Sequence, residues 1–343
     1  MDAALAQLLD ELKTVPEVYR PSPFWQTLAA EQVHQLEESG FDNFKRTVNM
    51  RYFNWRILGI LRHQLAAIAW DWLDDPGLSV LRAEFLQPRA AIDDRAASFD
   101  GFSAWIYKTY VAMYVEVLAR DDRAGLLQRI EEPELGNPFL VRHSGRRVSQ
   151  DLYNSVHELY SMLGPGASPG RPAPAVAELG AGYGRLGYVL MNAVPDASYT
   201  IIDIPPALYL SQRYLTTLFP ELPAFRFRPF AAYDDIAQEF SRARLRFLAP
   251  HQAELLPAKI FDYFINISSL HEMTLAQVQN YFRLIDRLCR GSFYTKQWRV
   301  SRTQVNGCTL REHDYPVPPG WRTVFHRRHP IQRMFFDALY AVA

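Results

Sequence analysis

The chain has 343 residues, enough for two domains with cores of their own, and its 48% hydrophobic and 22% charged residues are those of an ordinary soluble globular protein. Lysine and arginine number 37 and so do aspartate and glutamate, which leaves no electrostatic footprint for nucleic acid or an anionic membrane and argues against a polyanionic substrate. Two cysteines, Cys289 and Cys308, are too few for a disulfide framework and lack metal-ligand spacing, so reduced thiols and no metal are expected.

The N-terminal MDAALAQLLDELK carries acids and a Leu5/Leu8/Leu9/Leu12 stripe, unlike a signal or transit peptide, and no run approaches the ~18 apolar residues of a membrane span. A cytoplasmic location is expected. Up to Leu163 the periodicity is helical, with Ile57, Leu61, Leu65, Ile68 and Trp72 on one stripe and Phe102, Ile106, Tyr110, Met113 and Val117 on another. Residues 1–163 thus read as an all-α domain. Ser149 predicts an N-cap for its last helix, on Leu152, Val156, Leu159 and Leu163. Residues 164–174, GPGASPGRPAP, hold neither helix nor central strand and form a linker.

From Ala175 the pattern changes. AVAELGAGYGRLGYVLMNAVPDASYTIID reads as a strand, a glycine loop at Gly180, Gly182 and Gly184, a helix, and a second strand ending on Asp203. Asp203 lies 19 residues after Gly184, near the ~20 expected of a carboxylate that accepts hydrogen bonds from a ribose diol, so an adenosine-containing ligand is expected. Gly182 to Gly187 also satisfies G-x-G-x-x-G. However, Glu178 ahead of the loop would repel a pyrophosphate and suits a ligand bearing an ammonium and a sulfonium, namely S-adenosylmethionine. Further strands are expected at Leu245–Leu248, Phe261–Ile267 and Ser292–Thr295, with two more after Trp321 and an excursion of undefined role at 219–242. This residue-level reading gives α/β architecture with a doubly wound, mostly parallel sheet over residues 175–343.

These segments resemble class I S-adenosylmethionine-dependent methyltransferases, and more narrowly the putative sugar O-methyltransferase family. VAELGAGYGRLG and IIDIPPALYLSQRYL carry the broad likeness, while FDNFKRTVNMRYFNW, INISSLHEM and FYTKQWR carry the narrow one. The resemblance implies a Rossmann-like seven-strand sheet with an antiparallel edge hairpin, a helical N-terminal substrate domain, and methylation of a sugar hydroxyl with S-adenosylhomocysteine as by-product. Arg302 to Asn306 departs from the S-x-N-like pattern expected after the tryptophan.

Ligands of an open α/β sheet bind outside the carboxyl ends of its strands. Asp203 and Ile204 are therefore assigned to the ribose, His251 and Gln252 to the adenine edge, and Glu178, Gly180, Gly182 and Gly184 to the methionine portion. Asn266 and Ser268 belong to the same rim, and Tyr183 or Tyr153 offers an aromatic face to the sulfonium. His271 is the expected general base, with an unperturbed pKa near 6.5, and Glu272 its neighbour that orients it or stabilises the following helix. Arg46, Tyr52, Lys296, Trp298, Asp314 and Tyr315 are candidate substrate contacts. The expected partner is a small sugar-containing acceptor, and a homo-oligomer is compatible with the sequence. Three readings compete: an O-methyltransferase of phenolic or polyketide hydroxyls, a catalytically silent cofactor-binding protein, and a nicotinamide oxidoreductase.

Overall fold

The computed structural model describes residues 3–48, 64, 90–92, 101–164, 166–168, 172–303 and 308–343. The stripe at 57–72, apart from a single residue within it, and the 304–306 part of the departure from the family pattern lie outside them. In chain order, α1 (Ala3–Thr14) and α2 (Pro23–Ser39) precede β1 (Ala90–Ile92), α3 (Gly101–Ala119), α4 (Leu126–Arg129), β2 (Val141–His143), β3 (Arg146–Val148) and α5 (Gln150–Leu163). There follow β4 (Ala175–Leu179), α6 (Arg185–Ala193), β5 (Ser198–Ile202), α7 (Ala207–Leu218), β6 (Ala224–Phe225), α8 (Ala237–Arg242) and β7 (Leu245–Leu248). The chain ends with β8 (Phe261–Ile267), α9 (Leu275–Leu288), β9 (Cys289–Trp298), β10 (Val300–Thr303), β11 (Cys308–Arg311), β12 (Arg322–Arg328) and β13 (Phe335–Ala341).

Two compact units form. One comprises Met1–His34, Pro169–His329 and Met334–Ala343, the other Gln35–Ser168 with Pro330–Arg333. The first thirty-four residues thus belong with the sheet rather than with the 1–163 segment expected from periodicity. The reason is the apolar stripe of α1 and the turn after it: Leu12, Val15 and Tyr19 join Phe264, Tyr281 and Ile285 in one core.

The second unit is not all-α, which corrects the expectation. β1, β2 and β3 form an antiparallel meander, with Ala90 opposite His143 and Val141 opposite Val148. Each strand has three residues, too few for a period-two pattern to stand out among helical stripes. The β2–β3 turn is Ser144-Gly145, both at positive φ, as a two-residue hairpin requires. α3 buries Ile106, Tyr110, Val111, Met113 and Tyr114, and Ser149 caps α5 by accepting from the Leu152 N–H at 3.0 Å.

The first unit is built on an eight-stranded sheet in the order β12-β13-β9-β8-β4-β5-β7-β6. Strands β4 to β9 pair in parallel, and β13 and β12 close one edge as an antiparallel pair. The central strands are buried along nearly their whole length, as expected of a parallel sheet covered on both faces. Where seven strands are expected, β6 is an eighth: the 219–242 excursion supplies this two-residue edge strand and α8. β9 is longer than expected, running to Trp298, and so carries Gln297 and Trp298 to the rim of the sheet. β4 and β5 proceed one way across the sheet and β8 and β9 the other, so the topological switch falls between β4 and β8. No described helix is long and apolar enough to cross a membrane.

Candidate functional site

The carboxyl ends of β4, β5, β7 and β8 share one rim of the first unit. The loop after β4 holds Gly180, Gly182 and Gly184 at φ of +71°, +61° and +86°, the left-handed region that glycine enters without strain. Close approach matters too, since a Cβ on Gly180 would stand 2.3 Å from Ser269 Oγ. Gly184 N-caps α6.

Asp203, at the end of β5, binds this loop directly: Oδ2 accepts from the Gly182 N–H at 2.9 Å and Oδ1 from the Ile204 N–H at 2.8 Å. Burial pushes its carboxyl up to about 7, against the opposing pull of those backbone donors. Glu178 is buried within β4 and accepts a hydrogen bond from the Tyr199 hydroxyl. The Tyr199 hydroxyl and the two backbone N–H groups are neutral donors. Tyr183 packs edge-on against Tyr214 of α7, centroids 5.3 Å apart.

At the exit of β7, the Gln252 side chain is committed to its own turn, accepting from the Ala249 N–H at 2.9 Å and donating to the Arg228 carbonyl at 2.8 Å. His251 Nε2 lies 3.2 Å from Glu11 Oε1 of α1, and burial lowers the ring's pKa despite that carboxylate. The segment after α1 continues along the rim. The Tyr19 hydroxyl donates to Glu254, Gln277 Nε2 to the Arg20 carbonyl at 2.8 Å, and Ser22 Oγ to the Glu272 carbonyl at 2.8 Å.

Beyond β8, Ser268 has a φ of +55°, and the chain turns through Leu270–Glu272. His271 and Glu272 are 4% and 6% exposed, with His271 Nε2 3.3 Å from Glu272 Oε1. Glu272 Oε2 accepts from the Trp25 indole N–H at 3.1 Å. Burial lowers His271 to about 4 and raises Glu272 well above the carboxylate range. The expectation of a histidine titrating near 6.5 is thereby corrected: desolvation, which sequence does not display, favours the neutral ring. Asn266 is fully buried and its amide joins β4 to β9, donating to the Leu179 carbonyl at 2.9 Å and accepting from Gln297 Nε2.

Trp298 stands beside this pair, its ring 6.2 Å from that of His271 and 4.9 Å from that of Phe335. Lys296 is buried with its ammonium 5.3 Å from the centre of the Phe335 ring. Asp314 is an exposed turn residue whose Oδ2 accepts from the Arg311 N–H at 2.8 Å, and Tyr315 packs on Phe336 and Phe282 at the edge of the core. Two assigned residues lie in the second unit. Tyr153 is buried there against Tyr114, and Arg46 braces the Asn137 carbonyl at 2.8 Å with its guanidinium over Phe139. Tyr52 lies outside the described residues. Among the described residues, no group of three or more His, Cys, Asp or Glu side chains gathers as a metal site would.

Four residues around the site escaped sequence reasoning as individuals: Tyr199, Trp25, Ser22 and Gln297. Only Gln297 left a signal, an amide in the interior of a β-rich run where amides are uncommon.

No family model matches the chain, and none of the curated proteins matches it in sequence. Among solved structures it is similar to a SAM-dependent methyltransferase from Aquifex aeolicus, at 13% identity and TM-score 0.31 over 50% of this chain and 82% of that one. It is similar also to 1,6-didemethyltoxoflavin-N1-methyltransferase from Burkholderia thailandensis, at 16% identity and TM-score 0.37 over 57% of this chain and 79% of that one. A third is an arsenic(III) S-adenosylmethionine methyltransferase from Chlamydomonas reinhardtii, at 15% and 0.33 over 51% and 65%.

Proposed function

We propose that the chain is an S-adenosylmethionine-dependent O-methyltransferase acting on a sugar or glycoside hydroxyl. The observation that carries this reading is the hydrogen bond from the Gly182 N–H to Asp203: a buried acid at the end of β5 grips the glycine loop of β4 beside the switch point. Asp203 retains lone pairs for a ribose diol, and backbone around Gly180 and Gly182 with Glu178 receives the amino-acid portion. The ligand supplies a methyl carbon already activated by a sulfonium.

What remains for the protein is alignment and removal of a proton. The acceptor oxygen bonds to the methyl carbon as the sulfur–carbon bond breaks, and the hydroxyl proton passes to Nε2 of His271. The Glu272 carboxyl turns off Nε2 to admit the acceptor. Trp298, beside His271, offers a face on which a sugar stacks. Methyl donor and sugar-containing acceptor are small molecules, and the proposed location is cytoplasmic.

One observation favours a second reading. A histidine held to about 4 is a weak base, and a phenol, with a pKa near 10, needs less help than an alcohol. Calorimetry with S-adenosylmethionine, S-adenosylhomocysteine and NAD in parallel, followed by methyl-transfer assays on glycosides and phenols, tests both. Micromolar binding of S-adenosylhomocysteine without NAD and turnover of glycosides is the expected result. Turnover of phenols alone selects the second reading, and NAD binding or no binding at all overturns both.

A further inference from the structure

The orientation of each amide between β4 and β9 is fixed by backbone groups that have a single role. Asn266 Nδ2 meets the Leu179 carbonyl at 2.9 Å, and Oδ1 receives the Leu270 N–H at 3.3 Å, so its two ends are assigned. Gln297 Nε2 meets the Asn266 carbonyl at 3.3 Å and Asn266 Oδ1 at 2.5 Å, while Oε1 receives the His271 backbone N–H at 3.4 Å. That same Oε1 lies 3.0 Å from His271 Nδ1. An oxygen with no hydrogen of its own faces Nδ1, so Nδ1 carries the proton and Nε2 carries the lone pair.

We propose that Gln297, held in place by Asn266, is a positioning residue that locks His271 as the Nδ1–H tautomer and so directs its one basic nitrogen, Nε2, to the acceptor. This rests on the reading of His271 as the base. The network is closed: Asn266 and Gln297 are fully buried, and neither amide can turn over without stranding a backbone N–H or carbonyl. Among the described residues, the side chains recorded against the His271 ring from other elements, Gln297 and Trp298 of β9, are neutral, and the ionisable one is Glu272 on its own turn. The lock therefore works by hydrogen-bond direction rather than by charge. It gives a role to a fully buried amide at the end of β9.

The test is nitrogen NMR of the full chain with isotope-labelled histidine, the His271 signal being assigned by its loss in His271→Asn. The wild type is expected to show the Nδ1–H tautomer at pH 8. Gln297→Met, similar in shape but without an acceptor, should shift His271 toward the Nε2–H form and lower kcat roughly 10- to 100-fold with KM for the methyl donor unchanged. Gln297→Glu, whose carboxylic acid form keeps a donor toward Asn266 and an acceptor toward Nδ1–H, should restore the tautomer and part of the rate. An Nε2–H wild type, or an unchanged tautomer in Gln297→Met, overturns the proposal. Should Gln297→Met fail to fold, the wild-type tautomer alone decides. The NMR result is independent of turnover, so absence of methyl transfer would sink the functional reading while the lock is still judged on its own signal.

Discussion

His271 Nε2 lies 3.3 Å from Glu272 Oε1 with both side chains almost wholly buried, and burial pushes the two groups toward their neutral forms. Burial thus opposes the imidazolium–carboxylate form of this pair.

Loss of the ring is expected to lower turnover by ~10²–10⁴-fold, the usual contribution of acid–base assistance, with little change in cofactor affinity. His271→Ala assayed by methyl transfer and by S-adenosylhomocysteine calorimetry checks this. Full activity on an alcohol would move the base elsewhere, to Lys296, Tyr294 or Asp314.

The same burial makes a stability prediction whose sign is fixed. His271 has a folded pKa of about 4 against an unfolded value near 6.5, so its contribution is fully present above pH 6.5 and is lost as pH falls toward 4. Urea denaturation between those limits should show wild type losing up to about 3 kcal/mol relative to His271→Gln. Parallel curves for the two proteins would contradict the buried, neutral ring.

Asp203 gives the opposite sense. Its folded pKa of about 7 lies above the unfolded value, so stability from its neutral form is present at low pH and declines as pH rises through 7. Ribose recognition needs the carboxylate, and S-adenosylhomocysteine should bind more weakly as pH falls below 7, by at most tenfold per unit. Asp203→Asn should flatten that profile, and Asp203→Ala should weaken binding by about 1.5–3 kcal/mol at pH 8. A flat wild-type profile would remove Asp203 from the ligand.

Trp25 holds Glu272 Oε2 at 3.1 Å. Trp25→Phe keeps the ring but removes the donor, and should cost about 1–3 kcal/mol in chemical denaturation. A change below ~0.3 kcal/mol would mean that the bond is not formed in solution.

The strand–loop–strand unit was legible because glycines, an apolar run and Asp203 all act within thirty residues of one another. The Ser149 cap was legible for the same reason, its partner being three residues away. What escaped depends on distance along the chain: the leucine stripe of α1 announces a helix but not the core it enters, and His271 carries no mark of the Gln297 that faces it. Very short strands such as β6 fall below the length at which alternation can be read.

Tyr19 meets Glu254 across 235 positions of sequence, and Arg20 meets Gln277 across 257. During synthesis the first of these partners waits through the intervening residues, roughly 10–50 s at ordinary elongation rates, before the other is made. The stretch along the rim is therefore translated early and docked late, and Leu12, Val15 and Tyr19 spend the interval without the core they later join.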